Sequence, residues 1–428
     1  MRHRQVFRRL LVIPLGDVVL INLGYLIAFQ VRFFGQPVPE TNFEPYSNLA
    51  LWITVAALPL LYACGAYSQL HRTLAEILRA VVVAAVILSL LTVAASYFFI
   101  RTLSLPRSVF VLAFITHVLL LSGWRWVFWR FYERLVGPEQ ILIVGESEKA
   151  PYLVHKFLRD RSTRYQVVGF VTVSELFRLG RPVETVDTLL LTPDLSREEK
   201  IRVTSLAAER RVNIAIIPDL YDILLTGAEL NQIDDLPVLT LPWMGLTRTQ
   251  RLAKRLLDLV VAGMLLAAAA PVMLLIALAV KFSSSGPVIY CQERVGRLGR
   301  TFLLYKFRTM IDDAEKATGP VLAAEDDPRI TRVGRFLRAY RLDELPQLWN
   351  VLRGDMSLVG PRPERPHFVA EFSRSIPDYR HRLLVQPGIT GLAQIFGRYN
   401  TTPEDKLKYD LYYIRNYSLW LDVRILLQ

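Results

Sequence analysis

Four long apolar stretches, at residues 11–31, 49–67, 77–100 and 109–128, constrain this chain more than any other feature. Each is near the roughly 20 residues that a helix needs to cross the hydrocarbon core of a bilayer. Within that core only a helix or a closed barrel satisfies its own backbone groups, so a helical membrane region over residues 1–136 is expected. Basic residues bracket the stretches. Arg2, Arg4, Arg8 and Arg9 precede the first, His71, Arg72 and Arg79 lie between the second and third, and Arg125, Arg130 and Arg134 close the fourth. Such clusters mark the cytoplasmic ends of membrane helices. The first stretch lacks a small-residue cleavage site after a short apolar core and reads as a retained helix, not a signal peptide. Asp17 within it is costly in lipid unless it faces other helices or lies near an interface, which leaves both a packing and a functional role open.

Composition supports membrane residence, because 52% of the 428 residues are hydrophobic. A net charge of +12 in a soluble chain would suggest nucleic acid, but here many basic residues flank the apolar segments, so nucleic acid is not an expected partner. Cys64 and Cys291 offer no disulfide framework, and the six histidines show no paired ligand spacing for zinc.

From residue 137 the pattern becomes that of an α/β domain. Residues 141–145 read as a buried strand ending at glycine, followed by a helix. Further strands are expected at 166–171, 188–191 and 213–217, with a helix over 197–210. A small Rossmann-like parallel-sheet domain over residues 137–245 follows. Its first loop, Gly145-Glu146-Ser147-Glu148-Lys149-Ala150, lacks two glycines of a dinucleotide-binding turn, and its glutamates would repel a pyrophosphate. No bound cofactor is expected there, and a regulatory or assembly role is.

Residues 246–282 hold a linker and a fifth apolar stretch, 256–280, with Pro271 near its middle. Lys254 and Arg255 before it and Lys281 after it place both ends on the positive side. Proline removes one helical hydrogen bond and kinks the helix, so a re-entrant membrane helix is expected, with a spanning helix as the alternative. Residues 283–428 are rich in Arg and Pro yet also in apolar and aromatic residues, and should form a compact, mostly α, membrane-associated domain. Tyr409, Tyr412, Tyr413, Tyr417 and Trp420 suit either a membrane interface or a packed stripe. No helix terminator is visible at Leu427-Gln428.

In that last region two carboxylates, Asp343 and Glu344, fall between Val333, Phe336, Leu337 and Tyr340 at helical spacing and Leu345, Leu348, Trp349 and Leu352 at helical spacing up to Gly354. Pro346 is tolerable only near a helix start, which puts both acids in the first turn of the second helix. An isolated Asp-Glu pair there is as readily a cap and a complement to the helix dipole. Here Arg332, Arg335, Arg338 and Arg341 precede the pair, and Arg353, Arg362 and Arg365 follow it. Guanidinium groups favour bidentate contact with phosphate or carboxylate, so the composition suits a site holding a diphosphate beside a nucleophilic carboxylate.

Five ordered motifs then resemble the bacterial sugar transferases that move a sugar 1-phosphate onto polyprenyl phosphate: Gln292-Glu293-Arg294-Val295-Gly296, Tyr305-Lys306-Phe307-Arg308-Thr309-Met310, Leu342-Asp343-Glu344-Leu345-Pro346-Gln347, the run from Gly354-Asp355-Met356 to Gly360-Pro361-Arg362-Pro363, and Gln386-Pro387-Gly388-Ile389-Thr390-Gly391. With the four helices and the degenerate α/β domain, the chain is similar to the large monotopic phosphoglycosyl transferases. The resemblance implies that Asp343 is the nucleophile, that Glu344 helps bind Mg2+, and that Arg338 and Arg362 contact phosphates, with Lys306 and Arg308 as further candidates. It also implies that Pro361-Arg362-Pro363 holds the uridine. The implied substrates are a UDP-sugar, with glucose or galactose expected, and undecaprenyl phosphate. UMP would be released in the first membrane step of exopolysaccharide, capsule or O-antigen synthesis, at the cytoplasmic face of the bacterial inner membrane. The four helices are expected to contact lipid and to support a homo-oligomer. Two rivals stay in view. A membrane-anchored nucleotide-sugar dehydratase would need an intact glycine-rich turn and a Tyr-x-x-x-Lys pair, which residues after 283 lack. A non-catalytic polysaccharide-assembly scaffold would use the arginines to bind anionic lipid.

Overall fold

The computed structural model describes residues 2–67, 73–99, 106–136, 138–146, 165–179, 186–311, 327, 329–397 and 401–428. His71, Arg72, residues 147–150 of the first loop and the helix expected after it lie outside the described residues, as do the side chains of Arg2, Arg4, Arg8, Arg9 and Arg134. The chain divides into two compact units, Met1–Pro218 with Leu427–Gln428, and Asp219–Leu426.

In the first unit α1 (Arg2–Arg32), α2 (Glu40–Ala63), α3 (Leu74–Phe99) and α4 (Arg107–Val136) correspond to the four apolar stretches. Among the described residues five helices are long and apolar enough to cross a membrane: Val12–Arg32, Glu40–Ala63, Leu74–Tyr97, Arg107–Phe131 and Arg248–Ser283. Ile21, Tyr25, Phe29, Tyr46, Ile53, Leu61, Val81 and Leu88 form the core of the bundle. Arg125, expected at a cytoplasmic flank, turns inward instead. Its two terminal nitrogens each donate to Asp17 at 2.8 Å, and the Tyr67 hydroxyl donates to the same carboxylate at 2.6 Å. A carboxylate and a guanidinium that are both almost wholly buried persist because each satisfies the other.

The same unit holds a four-stranded, all-parallel sheet in the order β2-β1-β3-β4, formed by β1 (Glu139–Val144), β2 (Tyr165–Val171), β3 (Thr188–Leu191) and β4 (Asn213–Ile216). Side chains alternate across it. Leu142, Val144, Leu189 and Leu191 face α5 (Val173–Leu179) and α6 (Arg197–Arg210) through Leu176, Val203 and Ala207, while Ile141, Ile143 and Leu190 form a second cluster. Ser196 and Glu199 close a reciprocal cap at the start of α6.

Residues 283–428 were expected to be mostly α, but the second unit, which holds nearly all of them, is mixed α/β. It contains α7 (Leu220–Leu225), the hairpin β5 (Glu229–Ile233) and β6 (Leu236–Thr240), α8 (Arg248–Ser283), the hairpin β7 (Ile289–Val295) and β8 (Thr301–Phe307), α9 (Arg332–Ala339) and α10 (Gln347–Arg353). These are followed by β9 (Ser357–Val359), α11 (Pro366–Ser375), β10 (Gly388–Thr390), α12 (Leu392–Phe396), α13 (Pro403–Arg415) and α14 (Leu419–Leu426). The segment 219–245, grouped by sequence with the α/β domain, belongs to this unit because Arg415 donates to the carbonyls of Thr226 and Pro242.

Helix α8 is fastened at its start. Lys254 donates to Asp422 at 2.6 Å, Arg255 reaches the carbonyls of Val351 and Leu352 at the end of α10, and Asp258 accepts from Ser357 Oγ and Leu358 N at 3.0 Å. Tyr413, one of the candidate interfacial aromatics, is buried and donates to Asp422 at 2.7 Å, whereas Tyr412 and Trp420 are exposed. At its other end Ile276 and Val280 pack on Phe307 and Leu337. Between them Met264, Val272, Leu274 and Leu275 are exposed.

Removing one partner of the Asp17–Arg125 pair strands a buried charge, which costs about 3–5 kcal/mol. Arg125→Leu should therefore lower the thermal unfolding temperature of the detergent-solubilised protein, and the double substitution Asp17→Leu with Arg125→Leu should recover most of the loss.

Candidate active site

The site is assembled on the strand that carries Lys306. Thr331 caps α9 by accepting from Gly334 N at 2.9 Å. Gly334 lies so close to the Thr309 carbonyl that a Cβ there would overlap it. One turn on, Arg338 Nε donates to Thr309 Oγ1 at 2.8 Å. Glycine and arginine together pin α9 to the chain leaving β8.

Beyond Tyr340 the chain reverses through Arg341, whose φ of 54° is left-handed, into a 3-10 turn at Leu342–Glu344. The acids thus occupy a separate turn ahead of α10, not the first turn of that helix. Pro346 explains the difference. It has no N–H to carry the hydrogen-bond ladder from the turn into the helix, and the ladder resumes with Leu348 N donating to Leu345 O at 3.1 Å and Trp349 N to Pro346 O at 3.0 Å. The helix ends at Gly354, φ 91°, as the sequence indicates.

Glu344 accepts two cations on one oxygen: Lys306 Nζ lies 3.0 Å and Arg362 Nη2 2.7 Å from Oε1. Burial alone would raise its pKa, but Arg362 and Lys306 outweigh burial and hold the carboxyl down to about 2. Asp343 is treated differently. Burial pushes its carboxyl above the ordinary 3.8, with Lys306 opposing and Glu344 adding to the rise, and no other described residue donates a hydrogen bond to its side chain. Arg338, though bonded to Thr309, lies near enough for its charge to favour ionised Asp343. Arg362 stays 39% exposed and can reach an arriving anion.

Among the described residues Lys306, Arg338 and Arg362 act on the acids, with Glu364 also near enough to act on Arg362. Arg308 does not join them. Its Nη2 donates to Ser284 O at 2.7 Å and Ser284 Oγ at 3.0 Å, while its Nε and Nη1 are buried without a partner. Pro361 and Pro363 flank Arg362, and their carbonyls accept from Gly388 N and Arg294 Nη1, both at 2.9 Å. Sequence reasoning missed Thr309, Asn350, Arg382 and Asp410. Asn350 is fully buried and ties β8 to α10, accepting from Tyr305 N at 3.1 Å and donating to Leu303 O at 2.8 Å. A lone polar residue in an apolar helix is the only sequence hint of it.

A carboxylate that takes no hydrogen bond from any other described residue, beside a second acid neutralised by cations, can attack an electrophile and hold a covalent intermediate, and the guanidinium and ammonium groups suit a phosphate ester. Residues 249–428 match the family model described as bacterial sugar transferase. Over 182 residues the chain is 46% identical to the Caulobacter vibrioides protein named UDP-glucose:undecaprenyl-phosphate glucose-1-phosphate transferase, covering 41% of this chain and 68% of that one. The chain belongs to the bacterial sugar transferase family. A Xanthomonas campestris member with that same name is 36% identical over 317 residues, 68% of this chain and 66% of that one. An Aeromonas hydrophila member, named UDP-N-acetylgalactosamine-undecaprenyl-phosphate N-acetylgalactosaminephosphotransferase, is 47% identical over 175 residues, 40% of this chain and 41% of that one. The chain thus spans less than two thirds of the length of these last two relatives.

Glu344→Gln would leave Lys306 and Arg362 without their shared anion. Because the folded pKa of Glu344 is depressed, its contribution is complete above the ordinary 4.5 and is lost as pH falls toward about 2. Glu344→Gln should cost about 1–3 kcal/mol near neutral pH. In denaturation experiments the gap to the parent protein should narrow steadily between those two pH values.

Proposed function

We propose that this transferase moves a sugar 1-phosphate from a UDP-sugar, UDP-glucose or UDP-galactose, to undecaprenyl phosphate with release of UMP, as the first membrane step of exopolysaccharide, capsule or O-antigen synthesis. The observation that carries this reading is the unequal state of two adjacent acids, Glu344 neutralised by Lys306 and Arg362 and Asp343 given no hydrogen bond by any other described residue. The family and the printed names of its members supply the substrate class.

In the first step an Asp343 oxygen attacks the phosphorus that carries the sugar. The bond from that phosphorus to the bridging oxygen breaks, and UMP leaves with the electron pair. An oxygen of undecaprenyl phosphate then attacks the same phosphorus and displaces the Asp343 carboxylate, giving the polyprenyl diphosphate sugar. Arg362 and Arg338 hold the phosphate charge, while Pro361 and Pro363 shape the wall beside the uridine. Among the described residues no group of three or more His, Cys, Asp or Glu gathers. The hard oxygens of Glu344, whose Oε2 accepts nothing from described residues, and of Asp343 fit Mg2+ with substrate phosphates completing its shell. When bound, Mg2+ would offset phosphate charge.

The membrane arrangement follows the same reading. Both ends of α8 pack on the second unit, basic Arg251, Lys254 and Arg255 stand at one end and Lys281 at the other, and the exposed apolar middle surrounds Pro271. This supports re-entry from the cytoplasmic face of the inner membrane over a full crossing. The parallel sheet of the first unit reads as a degenerate Rossmann-like module for regulation or assembly. Thr192 fills the space beside Gly145, and Asp194 accepts from Glu146 N at 2.9 Å, so a carboxylate stands where doubly wound sheets place a pyrophosphate.

Asp343→Asn should abolish UMP release from UDP-sugar and the hydroxylamine-sensitive phosphosugar adduct, and normal UMP release by this variant would refute the nucleophile assignment. Ser285→Cys in a Cys291→Ser background should react with an impermeant thiol reagent from the cytoplasmic side. Reaction from the periplasmic side alone would show that α8 crosses the membrane.

A further inference from the structure

Four consecutive carbonyls, those of Pro361, Arg362, Pro363 and Glu364, each accept a hydrogen bond from a different group: Gly388 N, Arg382 Nη2, Arg294 Nη1 and Val295 N, all at 2.9 Å. Prolines on both sides of Arg362 supply no N–H, so the carbonyls are the main backbone handles by which this irregular segment can be held. Three of the four donors belong to β7 or to the start of β10. The fourth is a buried charge. Arg382 is 6% exposed. It also donates to the Tyr379 hydroxyl and lies 2.8 Å from Asp410, itself 2% exposed.

A buried ion pair is a poor source of stability, since well-packed apolar side chains of similar volume do as well or better. What an apolar pair could not do is donate to the Arg362 carbonyl. The Arg362 side chain in turn donates to Glu344 at 2.7 Å, so the backbone clamp and the contact beside the nucleophile belong to one residue. We propose that Arg382, oriented by Asp410, is a positioning residue that fixes the Arg362 backbone and so aims its guanidinium at Glu344 and the donor's phosphates. The proposal rests on the reading of Arg362 as a phosphate contact. Neither Arg382 nor Asp410 touches the reacting atoms. Their proposed effect on turnover passes through Arg362.

The test is a double-mutant cycle on the full-length protein in detergent with undecaprenyl phosphate. It uses whichever of UDP-glucose, UDP-galactose and UDP-N-acetylgalactosamine turns over fastest, with UMP release as the readout. Arg382→Lys keeps the charge beside Asp410 but loses the forked geometry. It should lower kcat/KM about tenfold, and lower it less than about twofold when Arg362 is already Ala, because coupled residues are not additive. An equal fold-loss in both backgrounds would mean that Arg382 supports the fold at large, and would overturn positioning while leaving the role of Arg362 intact. Normal turnover by Arg362→Ala would overturn both readings together. If Arg382→Lys does not fold, Asp410→Asn carries the same cycle, with the same pattern supporting or refuting the proposal.

Discussion

A single oxygen of Glu344 ties the candidate site together. Lys306 approaches it from β8, 38 residues earlier, and Arg362 from the loop after β9, 18 residues later. A buried carboxylate with one cation would be a local ion pair. With two, it becomes the meeting point of three chain segments. The adjacent acids differ as a result, because Arg362 and Lys306 hold Glu344 down while burial raises Asp343, which receives no hydrogen bond from any other described residue.

That arrangement depends on groups that never reach it. Gly334 lets α9 rest on the Thr309 carbonyl, Asn350 ties α10 to β8, and the carbonyl clamp on residues 361–364 holds the loop bearing Arg362. The first turns of α8 enter the same core through Lys254, Asp258 and Asp422. An apolar helix is thereby locked by polar contacts at its start while its middle stays exposed. The Asp17–Arg125 pair follows the same rule in the four-helix bundle, where charge is tolerated because it is matched with near-ideal geometry.

Much of this was legible along the chain. The apolar stretches, the strands at 141–145 and 188–191, the helix at 197–210, the helical spacing of Val333, Phe336 and Leu337, and the stop at Gly354 follow from period, length and punctuation, which are local properties. The 3-10 turn at Leu342–Glu344 was not, although Pro346 was read as a helix-start residue, because the missing N–H separates two ladders only when the preceding turn is already closed. Arg125 was misread for a similar reason. A basic residue at the end of an apolar helix looks like an interfacial anchor until a partner on another helix is in view.

The sequence by itself determined the membrane helices, the parallel α/β module and the family to which Asp343 and Glu344 belong, since these rest on spacing and ordered motifs. Only the tertiary structure decided which arginines serve the acids. Arg362 and Arg308 look alike in sequence, yet one meets Glu344 and the other Ser284. A guanidinium is spent on whichever acceptor the fold brings within hydrogen-bond reach, and that distance is set by contacts between segments far apart in the chain.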